Sequence, residues 1–114
     1  MIKKIYSYAV MVRNENKAVR WYTEKLGFKV VDNYKGWKTV APKGSKNVIH
    51  LCQVYKGQGL EPGNQGISLH TDNLDKTYKQ LVKKGVAFTK KPSDEGWSKY
   101  AIFKDLDGNE FSLF

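Results

Sequence analysis

The 114-residue chain has one cysteine, two histidines, three prolines and, among its 20 basic residues, only two arginines, Arg13 and Arg20. Each scarcity closes off a class of chemistry. Cys52 has no partner for an internal disulfide, in keeping with a reducing compartment, and standing alone it reads as a small buried hydrophobe. Arginine supplies the planar fork that reads phosphates and base edges. A net charge of +9 built almost wholly from lysine therefore indicates a solvated surface, such as Lys76, Lys79, Lys83 and Lys84, and argues against a nucleic-acid partner. The charge would still draw an anionic small ligand toward the protein. No apolar run is long enough to span a bilayer, and Met1-Ile2-Lys3-Lys4 leads toward a strand instead of a signal-peptide core. No membrane is expected, and the expected location is cytoplasmic.

What the chain does have is internal repetition. Val10, Met11, Val12, Arg13, Asn14, then Lys17, Ala18, Trp21, Tyr22 and Leu26-Gly27-Phe28, returns as Leu69, His70, Thr71, Asp72, Asn73, then Lys76, Thr77, Gln80, Leu81 and Lys84-Gly85-Val86. Each copy is an alternating strand, a polar helix start, an amphipathic helix and a glycine stop. Asn14 and Asn73 are placed to cap the helices, and Gly27 and Gly85 fall where a left-handed backbone ends them. Ala18, Val19, Tyr22 and Leu26 form one apolar stripe, and Leu74, Tyr78 and Leu81 the other. Both need a sheet to cover them.

The pattern predicts helices at 15–25 and 73–84, with strands at 4–12, 28–34, 37–42, 47–54, 66–71, 86–90, 97–104 and 109–114. This is an α+β chain of two tandem βαβββ modules, 1–55 and 66–114, joined by the glycine- and proline-bearing linker 56–65. A chain of this length buries roughly two-thirds of its unfolded surface, enough for a single domain over 1–114.

On top of the repeat, Trp21-Tyr22 before Leu26-Gly27-Phe28 and Asp105-Leu106-Asp107-Gly108-Asn109 before the last strand carry a family likeness. The chain resembles the glyoxalase/bleomycin-resistance/dioxygenase superfamily, also called vicinal oxygen chelate, whose signatures are an FY…LGF stretch and a DPDGN turn. Here Trp21 replaces the Phe and Leu106 the Pro. The resemblance implies paired modules forming a concave, half-barrel cleft, often completed by dimerisation, so a two-fold homodimer is expected. It also implies a metal held by one side chain from each of strands one, four, five and eight. Those positions fall on Ser7, His50, Gly66 and Ser112, of which only His50 is a strong ligand, so neither a metal nor another cofactor is expected.

Strand alternation then sorts side chains between core and cleft. Ile67, Leu69, Phe111 and Leu113 go to the core, leaving Gly66, Ser68, His70, Glu110, Ser112 and Phe114 for the cleft. Ser7, Ala9 and Met11 line it from the first strand, and Val48, His50 and Cys52 from the fourth. Trp37 and Trp97, each after a glycine at the start of a mid-module strand, are suited to stacking on a planar ligand. The function expected is metal-free sequestration or sensing of a small planar ligand, neutral or anionic. The cleft is lined by Ser7, Trp37, His50, Ser68, His70, Trp97, Tyr100, Glu110 and Ser112, with Lys38 and Lys99 favouring an anion. The alternative is a glyoxalase- or dioxygenase-like enzyme. It would use a displaced metal on His50, Cys52, His70 and Glu110, or His50 or His70 with Glu110 as an acid-base pair.

Overall fold

The repeat in the sequence becomes a repeat in topology. A computed structural model describes residues 1–114, in two compact units, Met1–Pro62 and Gly63–Phe114. The first holds β1 (Tyr8–Val12), α1 (Glu15–Leu26), β2 (Lys29–Tyr34), β3 (Trp37–Ala41) and β4 (Ile49–Gln53); the second holds β5 (Asn64–Leu69), α2 (Leu74–Lys83), β6 (Ala87–Asp94), β7 (Lys99–Lys104) and β8 (Glu110–Leu113). Strand order is β1-β4-β3-β2 in one sheet and β5-β8-β7-β6 in the other. In both, the first and last strands pair in parallel and the remaining neighbours are antiparallel. The architecture is thus the α+β tandem of βαβββ modules, with each sheet open.

Both helices start and stop as the sequence dictates. The Asn14 and Asn73 side chains accept from the backbone N–H groups of Lys17 and Lys76, satisfying one free first-turn donor in each helix. Gly27 ends α1 at φ 69°, its N–H donating back to the Tyr22 carbonyl. The buried face of the first unit joins Val10, Val12, Val40, Ile49 and Leu51 to Ala18 and Tyr22 of α1. In the second unit the core is aromatic. Phe103 and Phe111 stack at 5.5 Å, Phe88 lies 5.7 Å from Phe103, and Tyr78 of α2 meets Phe88 edge-on at 4.7 Å. Phe103 and Phe111 are fully buried, a burial worth about 1.5–3 kcal/mol for each side chain, and half-buried Phe88 and Tyr78 extend the cluster to α2.

Strand ends differ from their expected spans: β5 runs Asn64–Leu69 instead of 66–71 and β4 Ile49–Gln53 instead of 47–54, and in β1, β6 and β7 the neighbouring strand or turn explains the difference. β1 begins at Tyr8 and not at residue 4, since it is an edge strand whose one partner, β4, pairs it from Tyr8↔Ile49 onward; Ser7 therefore precedes the strand. β6 runs on to Asp94, absorbing register shifts between Phe88 and Lys90 and between Lys90 and Ser93. Pro92 is tolerated there because β6 is an edge. β7 opens at Lys99, leaving Trp97 in the preceding turn, where Gly96 takes φ 86° and Glu95 N–H donates to the Ser98 carbonyl.

Two tethers hold loops against these sheets. In the turn before β8 the Asp105 carboxylate accepts from the backbone N–H of Asp107 and of Asn109 and from the Asn109 side-chain amide, at 2.8–2.9 Å. Asn109, wholly buried, uses its own Oδ1 to accept from Gly63 N–H at 2.8 Å, anchoring the entry to β5. In the β6–β7 hairpin, Lys90 bonds Ser93 and pairs with Glu95 at 2.7 Å. Hydrogen bonds from Lys90 and Ser93, then the Lys90 charge, hold the Glu95 carboxyl below the usual carboxylate range.

Two outcomes follow from the tethers. Asn109→Ala leaves the Gly63 N–H without its partner in a buried turn and should cost about 1–3 kcal/mol, read as a lower denaturant midpoint at unchanged m-value; an unchanged midpoint would show that the tether is not needed. Because Glu95 is depressed in the folded state, its pairing with Lys90 contributes above the ordinary carboxylate range and is lost as pH falls through the lowered value. An NMR pH titration of Glu95 should show its midpoint rising in Lys90→Met, whereas an unmoved midpoint contradicts the assigned cause.

Candidate functional site

Pleating divides every strand between a face covered by a helix and an open face, and the expected site residues fall mostly on the open faces. In the first unit the register sets Ala9, His50 and Thr39 side by side across β1, β4 and β3, with Met11 beside Cys52. Trp37, two residues before Thr39, lies on the same face with its ring 4.3 Å from that of His50. Tyr6 joins them from the segment before β1, 5.8 Å from Trp37. The β2–β3 turn that carries Trp37 is fixed from behind. Glu15, on the first turn of α1 and buried, accepts the Gly36 N–H on both carboxylate oxygens at 3.2–3.3 Å, and the Gly36 carbonyl accepts from His50 Nε2 at 3.3 Å. Glu15 is itself seated by its N–H, which donates to Gln53 Oε1 at 2.8 Å.

In the second unit the open face carries Ser68, Ser112 and Ile102 in one row across β5, β8 and β7. At one end Tyr100 and Phe114 stack at 5.2 Å, and Trp97 stands 5.3 Å from Tyr100 and 6.0 Å from Phe114. Lys90 places its ammonium 4.4 Å above the Tyr100 ring, a cation–π geometry. Trp97 is 70% exposed, so its ring is available to solvent. At the other end Glu110 faces Asn64 and Lys104.

The structure separates several residues that the sequence grouped. His70 follows β5 beside Phe114, as the Thr71 N–H bond to the Phe114 carbonyl requires. Glu110 begins the same β8 strand four residues earlier, about 13 Å away along the chain direction, so His70 and Glu110 do not form an acid-base pair. His70 instead lies 3.4 Å from Asp72 in an exposed pair, worth little to stability. Lys99 is paired with Asp75 at 2.7 Å, which offsets its charge, and Lys38, one residue out of phase with Trp37 on β3, donates to the Asn33 side-chain oxygen at 2.7 Å. Tyr6 and Glu15 were not legible as site residues, because each acts on a turn or strand distant in sequence, and Lys90 was not, because its contact with Tyr100 depends on the bulged register of the β6–β7 hairpin.

The residues present do not fit the metal that the fold implies. Within neither unit do three or more His, Cys, Asp or Glu side chains gather in a group suited to a metal ion. At the strand-five position Gly66 takes φ 71° within the register shift between Asn64 and Ser68. That backbone favours glycine, so the position is closed to a ligating side chain by conformation as well as by composition. Ser7 and Ser112 offer only neutral hydroxyls.

Comparison with known proteins agrees with the geometry. The glyoxalase/bleomycin resistance protein/dioxygenase superfamily matches residues 4–113. A member of that superfamily from Sphaerobacter thermophilus DSM 20745 shares 35% identity and a TM-score of 0.90, over 98% of this chain and 96% of that one. TnmS3, an antibiotic binding protein from Streptomyces sp. CB03234, shares 30% identity and a TM-score of 0.85, over 98% and 94%. Among curated relatives, YetH of Bacillus subtilis (strain 168) is 32% identical over 118 residues, covering 99% of this chain and 98% of its own. The duplicated strand order, the Asp105–Asn109 turn and these whole-length matches agree: the chain belongs to the glyoxalase/bleomycin resistance protein/dioxygenase superfamily.

Proposed function

We propose that this protein binds a small planar ligand and acts by sequestering or sensing it without a metal. The observation that carries the reading is the solvent-accessible aromatic group Trp97, Tyr100 and Phe114 with Lys90 over the Tyr100 ring. A 70%-exposed tryptophan contributes little to the core, yet it offers a rigid stacking surface at low entropic cost. The remaining contacts assigned to the ligand are Ser7, Trp37 and His50 on the first unit and Ser68, His70, Glu110 and Ser112 on the second. The similarity to an antibiotic binding protein supports a small organic molecule as the ligand class. A two-fold homodimer belongs to the same reading, with exposed Ile5, Tyr6 and Tyr8 supplying apolar surface for it.

The binding reading is tested by titrating a planar quinone such as anthraquinone-2-sulfonate while following tryptophan fluorescence. Quenching is expected, and Trp97→Ala should weaken binding by about 1–3 kcal/mol with no loss of thermal stability. Equal loss of stability and binding would reassign Trp97 to packing. Metal content provides the second test. Protein purified without chelator should hold well under one equivalent of zinc, nickel, manganese or iron, and stoichiometric metal bound through His50 and His70 would promote the enzyme reading in its place.

A further inference from the structure

We infer that His50 is a hydrogen-bond acceptor that selects planar ligands bearing a hydroxyl or N–H donor, and that Glu15 is the residue that positions it. The inference rests on the planar-ligand reading above and adds a chemical class to it.

The Gly36 peptide is gripped at both ends. Its N–H is held by the buried Glu15 carboxylate at 3.2–3.3 Å, and its carbonyl lies 3.3 Å from His50 Nε2. A carbonyl oxygen can only accept, so His50 must donate, and the proton sits on Nε2. The neutral imidazole then carries its lone pair on Nδ1. Nδ1 has no hydrogen-bond partner in the protein, and the half-buried ring packs 4.3 Å from the Trp37 ring at 37°. A flat molecule resting against Trp37 therefore meets an acceptor next to its ring plane. A phenol, enol or ring N–H satisfies that acceptor; an ether or a bare ring leaves it unpaired.

Glu15 acts through the peptide and does not touch the ligand. Its charge on the Gly36 N–H strengthens the carbonyl as an acceptor along the chain of bonds and holds Gly36, at φ 82°, in the turn that aims this carbonyl at His50. Without it the carbonyl loses its fixed direction and the imidazole is free to change tautomer.

The test compares 2-naphthol with 2-methoxynaphthalene at about pH 8, where an imidazole is mostly neutral, together with long-range proton–nitrogen NMR of the histidine rings. His50 should show the Nε2–H tautomer in the free protein, and 2-naphthol should bind about fivefold more tightly than its methyl ether. His50→Phe, which keeps the ring beside Trp37, should abolish the difference by weakening naphthol alone. Glu15→Ala should shift the tautomer population and reduce the preference, and Glu15→Gln, whose amide oxygen can still accept the Gly36 N–H, should restore both. A dominant Nδ1–H tautomer overturns the inference. Equal affinity for the two compounds overturns it while leaving the planar-ligand reading intact, and binding of neither compound overturns both. If Glu15→Ala fails to fold, the tautomer and the His50→Phe comparison still decide.

Discussion

The constraint on which the rest depends is the parallel pairing of the first and last strand in each unit, β1 with β4 and β5 with β8. Parallel neighbours cannot be joined by a tight turn; the chain must cross over, and its helix goes to one face of the sheet. That leaves the other face without a helix, and the register decides which side chains occupy it. Val10↔Leu51 and Ala9↔His50 are alternate rungs of one ladder. A slip of one residue would exchange His50 for Leu51 and put an imidazole into the core. The parallel ladder thus sets the membership of both the core and the candidate site.

Features governed by local chemistry were legible in the sequence. Asn14 and Asn73 announced the helix starts through their side-chain acceptors, Gly27 and Gly85 announced the ends, and the alternation in β8 sent Phe111 and Leu113 to the core, where they lie. Strand ends were less legible because a strand ends where its partner does: β1 is cut to five residues by β4, and β6 is prolonged by bulges that no periodicity reveals. The pairing of His70 with Glu110 failed for a related reason. Shared parity puts two residues on one face but does not say that they lie at the same height along it. Glu15 and Tyr6 stayed hidden because their partners come from other elements, and a charged residue at a helix start ordinarily reads as a favourable dipole contact; Lys90 stayed hidden because the bulges that bring it to Tyr100 leave no mark in the periodicity.

The two units use different physics to hold equivalent turns. In the first, a buried carboxylate grips a backbone N–H and seats a half-buried Trp37. In the second, the corresponding position after the helix cap is Leu74, and the hairpin is held instead by a partly exposed Lys90–Glu95 pair, which solvent screens. A buried charge that is hydrogen-bonded resists rearrangement, because breaking it leaves the charge unpaired. An exposed pair gives way at small cost. The ring of Trp37 is accordingly held firmly within its unit, and that of Trp97, 70% exposed, is the less constrained ring of its own.

Charge has to be weighed at two distances. Close to the aromatic group of the second unit, Lys90 is offset by Glu95, and Lys99 is offset by Asp75, so contact with the rings offers little net attraction to an anion. The remaining excess, +9 over the whole chain, lies mainly on exposed lysines, where it raises the encounter rate of anions over a Debye length of about 10 Å at 0.1 M salt. His50 Nδ1, as an acceptor, opposes a second acceptor placed against it. Under the proposed reading, the first unit therefore takes a planar ring whose donor edge meets His50 and whose charge lies away from that edge.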